Sequence, residues 1–222
     1  MVFAIHLDKI TDLRGDDFVG AWVDCVKGHY RLWTHGICDV ELNVSNLACS
    51  RGVEAVLGVL KDWDIAGEGQ ERERRHSNAP LFMPLVLLSD KYWEGKMLRT
   101  YFHDIESFVW IFAYVFLWYD ATESTAVIVD RWMTGDYKTC RVKKNDFLYG
   151  GEQRLDLRKN PPSAWRCQWP LASALLAWVR HRHIAHFGAI FDGTQLEATL
   201  AAVDHAKLLE LVRGAGYDVL FT

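Results

Sequence analysis

Between residues 16 and 35, Phe18, Trp22, Cys25, Val26, His29, Leu32 and Trp33 recur at helical spacing. That one-sided apolar stripe predicts an amphipathic helix, with Gly36 as its stop. Residues 44–50 and 55–61 are short and rich in β-formers around Arg51-Gly52, which predicts a small hairpin. Residues 67–75 are polar and charged and read as a solvated loop. A second helix is expected from Asp104, as its N-cap, through the apolar run Phe108 to Tyr119. That run is shorter than the roughly 20 residues a membrane span needs, so it reads as a helix buried on all sides. Further helices are expected over 137–147, 170–186 and 195–213, the last opened by a Thr194-x-x-Glu197 capping box. The order is helix, hairpin, loop, then four helices without a linker. It predicts one mainly α domain, a helical bundle around a buried central helix with a small β-hairpin, spanning residues 1–222.

Half of the 222 residues are hydrophobic, enough for a large core and against disorder. Lys and Arg number 25 against 29 Asp and Glu, a net charge of −4. Such a balance, with no basic cluster, argues against binding to nucleic acid or to an anionic membrane. The five cysteines are scattered and never spaced as C-x-x-C, so neither a disulfide framework nor a zinc knuckle is indicated. The first residues lack a basic stretch followed by an apolar one, as a signal peptide would have. The expected location is cytoplasmic or nuclear, not secreted.

Three ordered motifs add chemistry to this outline. Gly36 to Leu47, with Glu41 and Asn46 spaced as acidic-x-x-x-x-Asn, lies between the first helix and the hairpin. Gly58-Val59-Leu60-Lys61-Asp62-Trp63-Asp64 leaves the hairpin, and His103-Asp104-Ile105-Glu106-Ser107-Phe108 opens the central helix. In this order they resemble the catalytic loop (36–48), the D-F-G-type segment in its D-W-D form (58–66) and the H-D-L-E-S-F helix (104–119) of the fungal-type protein kinase family. Arg75 to Met83 resembles the close of that family's activation segment (62–88), and Trp132 to Tyr137 with Lys143-Lys144 its next helix. The resemblance runs motif by motif over roughly residues 15–150.

The resemblance implies a kinase C-terminal lobe, with Asn46 and Asp62 as oxygen ligands for Mg²⁺ and with Glu41 standing where the family has its base, an Asp. Phosphoryl transfer rests on positioning and charge neutralisation, and here the loop departs from the pattern. Asp39-Val40-Glu41 replaces H-R-D. The extra methylene of Glu41 moves its oxygens by about 1 Å, which can cost on the order of 100-fold. Val40 removes the Arg that would couple the loop to an activation-segment phosphate. Val86 stands where the segment would close on a carboxylate, so an anchoring ion pair is expected to be missing. No Gly-rich loop or V-A-I-K-like strand precedes residue 15, so an N-lobe is expected to be absent and Mg²⁺-ATP binding weak or absent. Asp104 is expected to be structural, receiving backbone N–H groups of the loop near Val40 and Glu41.

The reading that follows is a catalytically impaired kinase-like interaction module. It would meet a protein partner or itself through the lobe-facing surface, where Leu13, Leu47, Val59 and Leu60 are expected to be partly uncovered. The alternatives are an active Ser/Thr kinase whose N-lobe comes from a longer chain or a partner, and a folded fragment without activity. His181, His183 and His186 read as a solvated basic helix end rather than a metal cluster. The tryptophans at apolar helix positions (Trp22, Trp33, Trp110, Trp118 and Trp178) read as core.

Overall fold

In a computed structural model, the described residues are 6–38, 42–52, 55–61, 80–97, 99–118, 132–150, 165–194 and 200–221. They fall into two compact units, Met1–Ala79 and Pro80–Thr222. Helices dominate, and one small antiparallel sheet is present.

The first unit is built on α1 (Gly15–Thr34), which buries Phe18, Trp22, Cys25, Val26 and His29, as the apolar stripe requires. Asp16 and Asp17 in its first turn favour the helix dipole. Its end is a Schellman stop. Gly36 takes φ 81°, the Ile37 N–H donates to Leu32 C=O and the Gly36 N–H to Trp33 C=O, each at 3.0 Å. The predicted hairpin is β2 (Leu47–Arg51) with β3 (Val56–Leu60), in register Leu47↔Leu60 to Arg51↔Val56.

The hairpin has a third strand that periodicity could not reveal. Strand β1 (Asp8–Lys9) pairs with β2 through Asp8↔Cys49 and Lys9↔Ala48, and a 3-10 turn at Ile10–Asp12 follows it. A two-residue strand is too short to carry an alternation signal. Its consequence corrects an expectation: Leu13 and Leu47, expected on an open face, are 2% and 1% exposed. The N-terminal segment lies on the sheet edge and turns Ile10 and Leu13 inward. Val59 and Leu60 are half-buried, as expected for part-covered groups, and Leu57 is the exposed apolar residue of β3.

Helix α1 packs on β3 at Gly58. A Cβ there would run into the backbone carbonyl of Ala21, so the absence of a side chain sets how closely helix and strand approach. The Gly58 N–H donates to Asp24 Oδ2 of α1 at 3.1 Å, which satisfies a donor that the edge strand would otherwise leave open.

In the second unit a 3-10 turn (Pro80–Phe82) and a short helix α2 (Asp90–Trp93) precede α3 (Tyr101–Trp118). Ile105, Phe108, Val109, Ile111, Phe112, Val115 and Phe116 of α3 are all buried, which bears out a central helix with apolar residues all round. Trp110 meets Trp132 edge-on at 5.3 Å, and Phe116 lies against Trp165 and Trp169. Around it run α4 (Tyr137–Tyr149), α5 (Trp169–Phe191) and α6 (Ala201–Gly214). Asp136 caps α4, accepting from Thr139 N at 2.8 Å.

Two expected caps are corrected. Asp104 does not cap α3, which starts at Tyr101. The cap is a side-chain-to-backbone bond the other way round: the Thr100 N–H donates to His103 Nδ1 at 3.0 Å, the reciprocal half of a capping box with His in the Glu position. Likewise Thr194 does not open α6, which starts at Ala201. It closes α5: Gly193 takes φ 68°, the Thr194 N–H donates to Ala189 C=O at 2.8 Å and the Gly193 N–H to Ile190 C=O at 3.2 Å. A Thr following a Gly serves as well for a helix end as for a helix start, and the glycine decides it.

Candidate functional site

The hairpin register determines what the catalytic-loop-like segment can bring together. Leu47 pairs with Leu60, so the next pair outward is Asn46 with Lys61, and the Lys61 N–H indeed donates to Asn46 C=O at 2.8 Å. Asn46 ends a tight 3-10 turn, Val44–Asn46, that Asn43 holds in shape. The Asn43 Oδ1 accepts from Ser45 N at 2.8 Å and from Asn46 N at 3.1 Å. Such an Asx cap fixes the backbone before the strand starts. Asn46 is buried, and its Oδ1 accepts from Ser45 Oγ at 3.2 Å. The motif's Asn is thus tied to the residue before Asp62.

Glu41 and Asp62 lie outside the described residues, as do Val40 and the stretch 62–79 of the activation-segment-like region. Of the proposed Mg²⁺ ligands the structure therefore places Asn46 alone. A Mg²⁺ site is built from several oxygen donors, carboxylates and phosphates among them, of which Asn46 would supply one carboxamide oxygen. No group of three or more metal-ligating His, Cys, Asp or Glu side chains occurs among the described residues.

Asp104 is 1% exposed, and its Oδ1 takes the Arg99 guanidinium through both Nε, at 2.7 Å, and Nη2. The partners expected for it near Val40 and Glu41 are outside the described residues, so the partner in view is Arg99. Its neighbour His103 is buried, and burial lowers its pKa to about 4. With the Thr100 N–H donating to Nδ1, the ring is held neutral.

The second unit contains a buried ionic cluster that sequence reading did not single out. Glu106 of α3, fully buried, accepts from Leu85 N at 2.7 Å and from Trp110 Nε1 at 3.0 Å through Oε1. Its Oε2 lies 3.0 Å from His183 Nε2 of α5. Burial alone would push the Glu106 pKa up, but His183 and the Leu85 and Trp110 bonds outweigh it and bring it down to about 2. Lys144 of α4, also fully buried, donates to Met83 C=O at 2.6 Å and sits 4.4 Å above the Trp110 ring. Cys140, one turn earlier, donates its Sγ to Pro80 C=O at 3.5 Å.

One expectation changes here. His183 is not part of a solvated helix end. It is 2% exposed and faces a carboxylate. Near Val86, the segment ending at Leu88 is held by a hydrogen bond and not by an ion pair, the Leu85 N–H donating to the Glu106 carboxylate of the central helix. A signal for the buried cluster was present. His183 continues the buried stripe of Ala172, Leu176 and Val179, and Lys144 falls in line with Cys140, Phe147 and Leu148. A charged residue on an apolar face usually has a buried partner.

Comparison of the chain with protein-family models, with curated proteins and with solved structures gives no match.

Proposed function

We propose that the chain is a protein-kinase-like C-lobe of the fungal-type family, catalytically impaired, which works as an interaction module. The observation that carries this reading is the bond from Lys61 N–H to Asn46 C=O. It sets the Asn of the catalytic-loop-like motif against the start of the D-W-D segment, as the resemblance requires of two motifs fifteen residues apart or so. A buried central helix opening on His103-Asp104-Ile105-Glu106 supports the same reading.

Impairment rests on residues in the loop itself. Glu41 carries its carboxylate one methylene too far for an Asp base, and Val40 offers no guanidinium. Interaction would run through a protein surface. With Leu13 and Leu47 inside, the large apolar side chains most exposed among the described residues of the sheet-bearing unit are Leu7 and Leu57. A cytoplasmic or nuclear setting fits five cysteines of which none forms a disulfide.

Melting the protein with and without Mg²⁺-ATP tests this function. A nucleotide bound at 100 times its Kd stabilises by about 2.7 kcal/mol, a shift of several degrees. The reading predicts no such shift. A shift of that size, lost in Asn46→Ala, would favour the active-kinase reading instead.

A further inference from the structure

Residues 80–88 are gripped by side chains from α3 and α4, and the grip contains two buried charges of opposite sign. Glu106 holds the Leu85 N–H and Lys144 the Met83 C=O, two residues apart, while Cys140 holds Pro80 C=O. The two charges share Trp110, whose Nε1 serves Glu106 and whose face serves Lys144. They are not equally well provided for. Glu106 has three partners, His183 among them. Lys144 has an ammonium with three donors, of which one is used, and no carboxylate pairs with it among the described residues. A buried cation whose acceptor is one neutral carbonyl has given up hydration without a full replacement.

We propose that residues 80–88 form a proton-linked latch, shut over Lys144 when its amine is neutral and biased towards opening when a proton binds and the ammonium needs water. Opening at Met83 would hydrate the ammonium and free the Leu85 N–H, so proton uptake and release of the segment are one equilibrium.

The groups around Lys144 leave it in control over a defined range. Burial brings its pKa from 10.5 down to about 8, with Cys140 and Glu106 pulling it up. The folded value is depressed, so the shut form gains on the open one as pH rises from about 7 towards 10.5. On α4 itself, burial raises the Cys140 thiol and the Tyr149 hydroxyl, which oppose the trend above pH 9 and 10. From α3, His103 at about 4 and Glu106 at about 2 titrate far below this range. From α5, His183 faces Glu106, and the Arg180 guanidinium acts on Tyr149.

Hydrogen exchange of a peptide covering residues 80–88, expressed as protection factors, tests the latch on the full chain. Between pH 7 and 9 wild-type protection at Leu85 should rise roughly fivefold to tenfold, as expected for one proton across that shift. In Lys144→Met and in Lys144→Arg, neither of which can lose a proton here, the rise should vanish. Should Lys144→Met fail to fold, Lys144→Arg keeps the cation and the test. Wild-type protection that is flat or falls over this range overturns the proposal, and so does a rise that survives in either variant.

Discussion

Glu106 and His183 are 77 residues apart in sequence and 3.0 Å apart in the fold, carboxylate to imidazole, with both side chains almost wholly out of water. The pair joins α3 to α5, and through the Leu85 N–H it also holds the segment that leads towards α2. Such pairs add little net stability over an apolar replacement, but losing one partner strands the other.

Glu106→Gln should therefore destabilise the protein by about 3–5 kcal/mol, as expected when one partner of a buried pair is removed. The double variant Glu106→Leu/His183→Leu should cost less than the sum of the two single Leu variants. Denaturant unfolding of both singles and the double gives the coupling. Additive losses would show that the two side chains do not act as a pair.

Acid should unfold the protein in two adjoining steps. His103 is buried neutral with its pKa lowered from 6.5 to about 4, so its contribution is present above pH 6.5 and is lost as pH falls through 4. Glu106 is lowered from 4.5 to about 2, so its contribution is present above 4.5 and is lost as pH falls through 2. Both slopes have the same sign, since the unfolded chain binds more protons. Stability measured from pH 7 to 3 should fall throughout. His103→Gln should flatten the upper part of the curve and leave the lower part.

Gly58→Ala should cost on the order of 1–3 kcal/mol or more, because the added methyl group meets the Ala21 backbone and not a yielding side chain. Thermal melting reads it directly. A variant as stable as the parent would mean that α1 and β3 are farther apart than described.

Leu13 and Leu57 should behave in opposite ways when changed to Lys. Leu13→Lys buries a charge and should unfold the sheet-bearing unit. Leu57, 57% exposed, should tolerate Lys within about 0.5 kcal/mol and lose any self-association that runs through this face. Sedimentation and melting of the two variants separate these outcomes.

What could be read in the sequence was whatever repeats with a period or stops at a glycine. The stripe from Phe18 to Trp33 gave α1, the run Phe108 to Tyr119 gave the buried helix, and Gly36 gave a stop that the structure bears out. Features without a period were missed. Strand β1 has two residues and is defined by pairing with Cys49 and Ala48 forty positions on. Because Asp is a common cap, Asp104 reads in the sequence as the start of α3, whereas His103 does the capping from inside the first turn. For the candidate site, the acidic-x-x-x-x-Asn spacing marked Asn46, and the predicted hairpin carried it to Lys61, next to the D-W-D segment. Glu106, His183 and Lys144 went unnoticed as partners because pairing is a property of the packed helices and not of spacing along any one of them.

The central claim, a kinase-like lobe without working catalysis, is tested most directly by transfer of labelled phosphate. The protein is incubated with Mg²⁺-ATP and a general Ser/Thr substrate, alongside an Asp62→Ala variant. The account predicts incorporation that is the same in both and no higher than without protein. Incorporation by the wild type that Asp62→Ala abolishes would contradict it.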